Sequence, residues 1–309
     1  MKAIRIGTRG SALALWQANT VAGRLREHGA PVEIITISTR GDRRQAESLA
    51  EISAEVGKGV FTKEIQEALL RGDIDVAVHS SKDMAAVPPD GLGIAAVLER
   101  EDPRDALVLP GSPAEASFSA DLLGASPRIG TGSPRRVAQL RRMFRSARFE
   151  GIRGNVDTRL RKLDGGEADA IVLACAGLRR LGFADRITSP IPADVCIPAP
   201  GQGIVAIETR TDDQATVKAA SLLNDQTART CLAAEQAVVA ALGGGCQLPL
   251  GVFAEQENGT LRLRAIAASL SGDDVVTGEL TGDAAAAADL GRRLADLLRE
   301  RGAERLLRS

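Results

Sequence analysis

Three clusters of residues in this 309-residue sequence have the types and spacing to do chemistry. The first is a set of arginines at predicted helix starts. Arg9 precedes Gly10-Ser11, and Arg153 precedes Gly154-Asn155, with Arg159 four residues past that asparagine. Ser133-Pro134-Arg135-Arg136 places an N-cap serine, an N1 proline and two cations in one first turn. Cations there oppose the helix dipole, and an anion docked on the free N–H groups reverses that penalty. Guanidinium forks suit bidentate carboxylate or phosphate binding, so three such starts point to a ligand with several acidic groups. A surface ion pair explains any one of them taken alone.

The second cluster is His79-Ser80-Ser81-Lys82-Asp83, directly after the buried-strand pattern Ile74–Val78. Ligands of open α/β sheets sit outside the carboxyl ends of strands, which brings Lys82 and Asp83 to a cleft. Asp83 can serve as general acid or base, stabilise a developing cation, or simply cap a turn. His79 reads as a packed, hydrogen-bonded histidine. The third cluster is Gly243-Gly244-Gly245-Cys246-Gln247, a glycine loop carrying a thiol. That thiol is a covalent anchor or nucleophile, or an incidental loop cysteine. Gly41–Gly59 is polar and glycine-bounded, a mobile lid carrying Lys58 or a solvated loop.

Composition narrows the chemistry. Neither GxxxxGK[ST] nor a strand-linked GxGxxG occurs, so nucleotide phosphate is disfavoured and multiple carboxylates fit the arginines better. Lys+Arg 39 against Asp+Glu 40 gives a net charge of -1, and aromatics are 2%. Both count against nucleic acid, although Arg135–Arg148 holds six arginines in 14 residues. Cys175, Cys196 and Cys231 sit in apolar company as core fillers, and with two histidines in all, no metal site is expected. No apolar run spans a bilayer, and MKAIRIGTRGS lacks a signal-peptide core, so a cytoplasmic chain is expected.

The elements that must position these groups follow from patterning. Strands are predicted at Ala3–Gly7, Val32–Ser38 and Ile74–Val78, with helices from Ser11 to about His28 and over Thr62–Leu70. This β-α-β-α-β order reads as an α/β lobe. A second lobe repeats it. Arg128–Thr131 echoes Arg5–Thr8 (RIGT), and GEADAIV at 166–172 echoes GDIDVAV at 72–78, in the same order. Ile204–Thr209 is a strand that rejoins the first lobe. A helix over Thr227–Leu242, strands Pro249–Gln256 and Thr260–Ser269 about Asn258-Gly259, a strand Val275–Leu280 and a helix Ala284–Arg301 make a small α+β domain.

Taken together the motifs resemble one family, porphobilinogen deaminase. They are IGTRGSALALWQA (6–18), VGKGVFTKE (56–64), DVAVHSSKD (75–83), EREDPRDA (99–106), IGTGSPRR (129–136), IRGNVDTRL (152–160), LACAGLRRLG (173–182), PAPGQG (198–203) and GGCQLP (244–249). The resemblance implies an α/β fold: two periplasmic-binding-protein-like α/β lobes around a cleft, plus a small α+β C-terminal domain with a three-stranded antiparallel sheet. Residues 1–100 with 204–221 would form domain 1, 104–197 domain 2, and 226–309 domain 3 with the cysteine loop.

The family is a transferase that joins four porphobilinogen molecules head to tail, loses ammonia each time, and releases 1-hydroxymethylbilane for tetrapyrrole synthesis. Its primer is a covalent dipyrromethane cofactor, and Cys246 matches the thioether-forming cysteine. Asp83 matches the catalytic aspartate, whose carboxylate can stabilise the azafulvene cation left when ammonia departs. Arg9, Ser11, Gln17, Arg153, Arg159 and Arg180 match substrate-binding positions. Lys82, Asp83, Thr131, Ser133, Arg135, Arg136 and Arg159 match cofactor-binding positions, and Lys58 the lid. No metal, nucleic acid or membrane partner is implied, and a monomer is the family expectation. Gly132 stands where the family often has serine, Met84-Ala85 replaces the usual aliphatic-Pro, and Ala54 stands where some members carry lysine. The reading from another class is a two-lobed anion receptor with no covalent ligand.

Overall fold

The computed structural model describes residues 2–39, 62–111, 116–243 and 248–308. In chain order the elements are β1 (Ile4–Thr8), α1 (Ala12–Glu27), β2 (Val32–Thr36), α2 (Lys63–Leu70), β3 (Val76–Ser80), β4 (Leu92–Val97), β5 (Asp105–Val108), β6 (Arg128–Gly130), α3 (Pro134–Leu140), β7 (Arg148–Glu150), α4 (Val156–Asp164), β8 (Ala170–Ala174), α5 (Cys175–Arg180), β9 (Ser189–Ile191), β10 (Val205–Arg210), α6 (Gln214–Ser221), α7 (Gln226–Leu242), β11 (Leu250–Glu257), β12 (Thr260–Ala268), β13 (Val275–Asp283), α8 (Ala287–Glu300) and α9 (Ala303–Arg308). The chain forms two compact units. One is Met1–Glu101 with Ile204–Thr230, the other Asp102–Gly203 with Cys231–Ser309.

The first unit is built on a sheet of order β2-β1-β3-β10-β4. β1 lies parallel to β2 and β3, while β10 runs antiparallel to β3 and β4. α1 starts where the sequence predicts, with Ser11 Oγ accepting from Ala14 N, and it buries Gln17, Ala18, Val21, Ala22 and Leu25. That near-helical spacing packs one face on the sheet beside Ile6, Val76, Val78, Val205 and Ile207.

The second unit carries a sheet of order β7-β6-β8-β5-β9, with β6 parallel to β7 and β8 and with β5 antiparallel to β8 and β9. The two five-stranded sheets therefore share one topology. In each, the antiparallel strand next to the edge is the first laid down after the chain passes from the other unit.

The sequence echoes have a specific physical basis. Arg5 Nη2 donates to Asp75 Oδ1 and Gly72 O, both at 2.7 Å, and Arg5 N donates to Asp75 Oδ2 at 3.0 Å. Arg128 Nη2 likewise donates to Asp169 Oδ1 at 2.8 Å and Gly166 O at 3.1 Å, and Arg128 N to Asp169 Oδ2 at 2.8 Å. Each RIGT arginine thus clamps the turn that feeds the neighbouring parallel strand. Gly72 and Gly166 hold φ of 76° and 79° there, a region that favours glycine.

The clamp is pH-sensitive. Burial alone would raise the Asp75 carboxyl pKa, but the hydrogen bonds from Arg5 outweigh it and take it down to about 2. A carboxyl depressed on folding contributes stability that is complete above the unfolded value near 3.8 and is lost as pH falls through about 2. Asp75→Asn is therefore expected to lower the urea midpoint at pH 6, with the gap to wild type shrinking as pH falls below 4. A gap independent of pH would refute this linkage.

The rest of the second unit is the sheet β11-β12-β13 covered by helices. Asn258 and Gly259, at φ 49° and 78°, form the primed hairpin turn their sequence announces. The closing helical region differs from the single span Ala284–Arg301. A 3-10 turn over Ala284–Ala286 precedes α8, and α9 follows Gly302 at φ 90°. α8 packs on α7 through Gly291, where an added Cβ would meet Ala234 O and, at 2.7 Å, Ala237 Cβ. Gly291→Ala is expected to destabilise the chain by about 1–3 kcal/mol through forced helix separation. An unchanged calorimetric melting temperature would show that this contact relaxes freely.

Candidate active site

In the first unit the candidate residues Lys82 and Asp83 follow the carboxyl end of β3. Ser81–Asp83 is a 3-10 turn. It is fixed from several sides: Ser81 N donates to Ile204 O at 3.0 Å, Met84 N to Ser81 O at 3.1 Å, and Gln17 Nε2 to Ser80 Oγ at 2.8 Å. His79 is buried, its Nε2 3.1 Å from Glu208 Oε2, and Gln66 Nε2 donates to the same carboxylate at 3.0 and 3.2 Å. The packed reading of His79 is what the structure has.

Lys82 and Asp83 remain half-buried on this braced turn. No hydrogen bond or ion pair among the described residues engages the Asp83 carboxylate. Ser81 Oγ is buried with no partner among the described residues. Arg9 and Ser11 flank the start of α1, and Gln17 is spent on Ser80. The structure thus joins the α1 start to the Asp83 turn through Gln17, a contact between sites read separately in the sequence.

In the second unit the sequence places Arg135 and Arg136 as cations opposing a helix dipole. The structure turns both side chains inward instead. They are 4% and 6% exposed and share Asp105, which is 0% exposed. Burial alone would raise the Asp105 pKa, but the charges of Arg135 and Arg136 hold it well below the ordinary carboxylate range. Ser133 does sit at the N-cap with Pro134 at N1, but its side chain makes no capping bond. Its backbone N–H instead donates to Thr131 Oγ1 at 3.3 Å.

Arg153 precedes α4, and Arg159 on that helix donates from Nε to Gly154 O at 2.7 Å. Arg180, the last residue of α5, donates from Nη2 to Gly203 O at 2.6 Å. Each of these bonds ties a guanidinium group to a backbone carbonyl of its own unit. Lys58, Ala54 and Cys246 lie outside the described residues.

Sequence reading missed Asp105, Gln202 and Glu208, whose carboxylates or amide carry the internal bonding. The signal for Asp105 was available: a lone acid opening an apolar strand (Asp105–Val108) must find cations inside the fold.

The donor set suits a ligand of several carboxylates. Arg135 is buried, yet all its hydrogen bonds to described residues run through Nη1, to Asp105, Cys196 and Ile197. A dipyrromethane bearing acetate and propionate groups fits such a fork, with Thr131 and Ser133 beside it.

Comparison with known proteins agrees with the motif pattern. The model "Porphobilinogen deaminase, dipyromethane cofactor binding domain" matches residues 4–218, and "Porphobilinogen deaminase, C-terminal domain" matches residues 229–300. The chain is 44% identical over 310 residues to the porphobilinogen deaminase of Syntrophomonas wolfei, covering 99% of this chain and 98% of that protein. It is 46% identical to that of Xanthomonas campestris pv. campestris, covering 99% of each. Among solved structures it is similar to the Bordetella pertussis BvgS VFT2 domain, at 16% identity and TM-score 0.39, covering 71% of this chain and 85% of that one. With the two models matched in order over residues 4–218 and 229–300, and relatives 44–46% identical along nearly the whole chain, the chain belongs to the porphobilinogen deaminase family.

Proposed function

We propose that this chain condenses four porphobilinogen molecules head to tail into 1-hydroxymethylbilane, releasing ammonia at each step, in tetrapyrrole biosynthesis. The observation that carries this reading is the family match over both parts of the chain, with Asp83 on a braced turn at the end of β3. A dipyrromethane held as a thioether on Cys246 supplies the acceptor end on which the rings are joined.

The chain's own residues bind, orient and move protons. Arg9, Ser11, Gln17, Arg153, Arg159 and Arg180 take the acetate and propionate groups of substrate and growing chain. Gln17 does so indirectly, through its bond to Ser80. Lys82, Thr131, Ser133 and Arg135 serve the cofactor's carboxylates, Arg136 supports them through the Asp105 carboxylate it shares with Arg135, and Lys58 closes over the site. The Asp83 carboxylate faces the positive charge that develops on the pyrrole as ammonia leaves, and it takes and returns the pyrrole proton. Residues 1–100 with 204–221, 104–197, and 226–309 act as three domains. The chain works as a monomer in the cytoplasm; among the described residues no helix is long and apolar enough to cross a membrane.

Incubation with porphobilinogen tests the reading, with ammonia and hydroxymethylbilane measured together in about a four-to-one ratio, as the proposed condensation requires. Reversible porphobilinogen binding with no ammonia and no covalent adduct would instead favour a two-lobed receptor.

A further inference from the structure

Asp105 opens β5, fully buried, and its two oxygens serve two different arginines. Oδ2 accepts from Arg135 Nη1 at 2.8 Å. Oδ1 accepts from Arg136 Nε at 3.1 Å and from Arg136 Nη2 at 2.8 Å. Arg136 Nη1 donates to Val172 O at 2.7 Å, so all three Arg136 nitrogens face protein acceptors. Arg135 is held differently. Nη1 alone reaches Asp105, Cys196 Sγ at 3.4 Å and Ile197 O at 2.8 Å. Gln202 Nε2 locks the carboxylate from a further side, donating to Oδ1 at 2.9 Å and to Pro103 O at 2.7 Å.

Two buried guanidinium groups against one carboxylate leave a surplus positive charge, which a low-dielectric interior tolerates only with another anion close by. We propose that Asp105 is a positioning residue for the condensation: it fastens Arg136 to the protein and grips Arg135 by one nitrogen, so that the rest of the Arg135 fork presents to a carboxylate of the bound oligopyrrole. The two adjacent arginines therefore divide the work, Arg136 as framework and Arg135 as ligand. This rests on the function proposed above.

An amide at 105 keeps the shape but turns an N–H₂ toward one of the two arginines, which then loses its acceptor. The test follows cofactor attachment itself. The full chain, made free of adduct by cell-free synthesis, is given porphobilinogen, and its intact mass is followed as two pyrrole units are gained.

Asp105→Asn is expected to slow attachment roughly tenfold or more while circular dichroism remains native at the assay temperature. Arg135→Lys is expected to slow it similarly. The double variant is expected to be within about twofold of either single one, because both act through one contact. Asp105→Glu, which keeps the charge but shifts it by a methylene, is expected to slow attachment too. It also provides the measurement if the asparagine variant does not fold.

Wild-type attachment rates in Asp105→Asn or Asp105→Glu would overturn the assignment. So would multiplicative slowing in the double variant, which is the signature of a generally loosened fold. A wild-type chain that gains no mass would take down the functional reading, and this assignment with it; loading of wild type and variants alike takes down this assignment alone.

Discussion

Asp83→Ala is expected to leave the fold intact and cut hydroxymethylbilane formation by roughly 10³-fold or more. The geometry separates these two outcomes. The turn over Ser81–Asp83 is held by backbone bonds to Ile204 and within itself, and by the Gln17–Ser80 contact. None of these uses the Asp83 carboxylate, and the residue is half-buried. Removing the side chain therefore costs little stability, within about 0.5 kcal/mol. The chemistry loses far more. A fixed carboxylate that meets a developing positive charge, and that shuttles a proton, commonly contributes factors of about 10²–10⁴. Asp83→Asn should fall almost as far, since the amide keeps the shape but neither the charge nor the basicity. Steady-state ammonia release and a thermal melt, run on the same preparation, check both halves. Turnover within tenfold of wild type in the alanine variant would remove Asp83 from the mechanism.

Several features of this molecule were legible in its sequence because they are local or repeated. Ser11 marks the start of α1, and Asn258-Gly259 marks its hairpin, since each needs only neighbouring backbone. The RIGT and glycine–acid echoes announced a repeated lobe, and the structure explains them as one arginine–aspartate clamp used twice. What stayed hidden depends on partners far apart in the chain. Arg135 and Arg136 look like exposed cations until Asp105, 30 and 31 residues earlier, is folded against them. Nothing in the spacing of Glu208 reveals that it meets His79 and Gln66 across the first sheet, 129 and 142 residues away. Short edge strands such as Arg148–Glu150 and Ser189–Ile191 were likewise hidden, because three residues carry no period. The arginine motifs gave no sign of which guanidinium groups turn inward onto Asp105.

Cys246→Ser is expected to yield a chain with no adduct and no turnover. Wild type should exceed its sequence mass by two pyrrole units, and the serine variant should match its own. Cys175, Cys196 and Cys231 are buried. Burial pushes the thiols of Cys175 and Cys196 up to about 12, with nearby Asp102 and Asp105 acting in the same direction on Cys175, and Asp105 on Cys196. At pH 8 only about one in 10⁴ of such groups is a thiolate, the form that attacks carbon. Cys196 is also committed to Asp105 and Arg135 at 3.4 Å. Neither can substitute as an anchor without unfolding its surroundings, and a serine hydroxyl has no comparable nucleophilicity. The native serine variant should also resist a water-soluble thiol reagent at pH 8, and then titrate three thiols once denatured. A two-pyrrole adduct surviving in Cys246→Ser, mapped to any other residue, would move the attachment point and with it the assignment of the glycine loop.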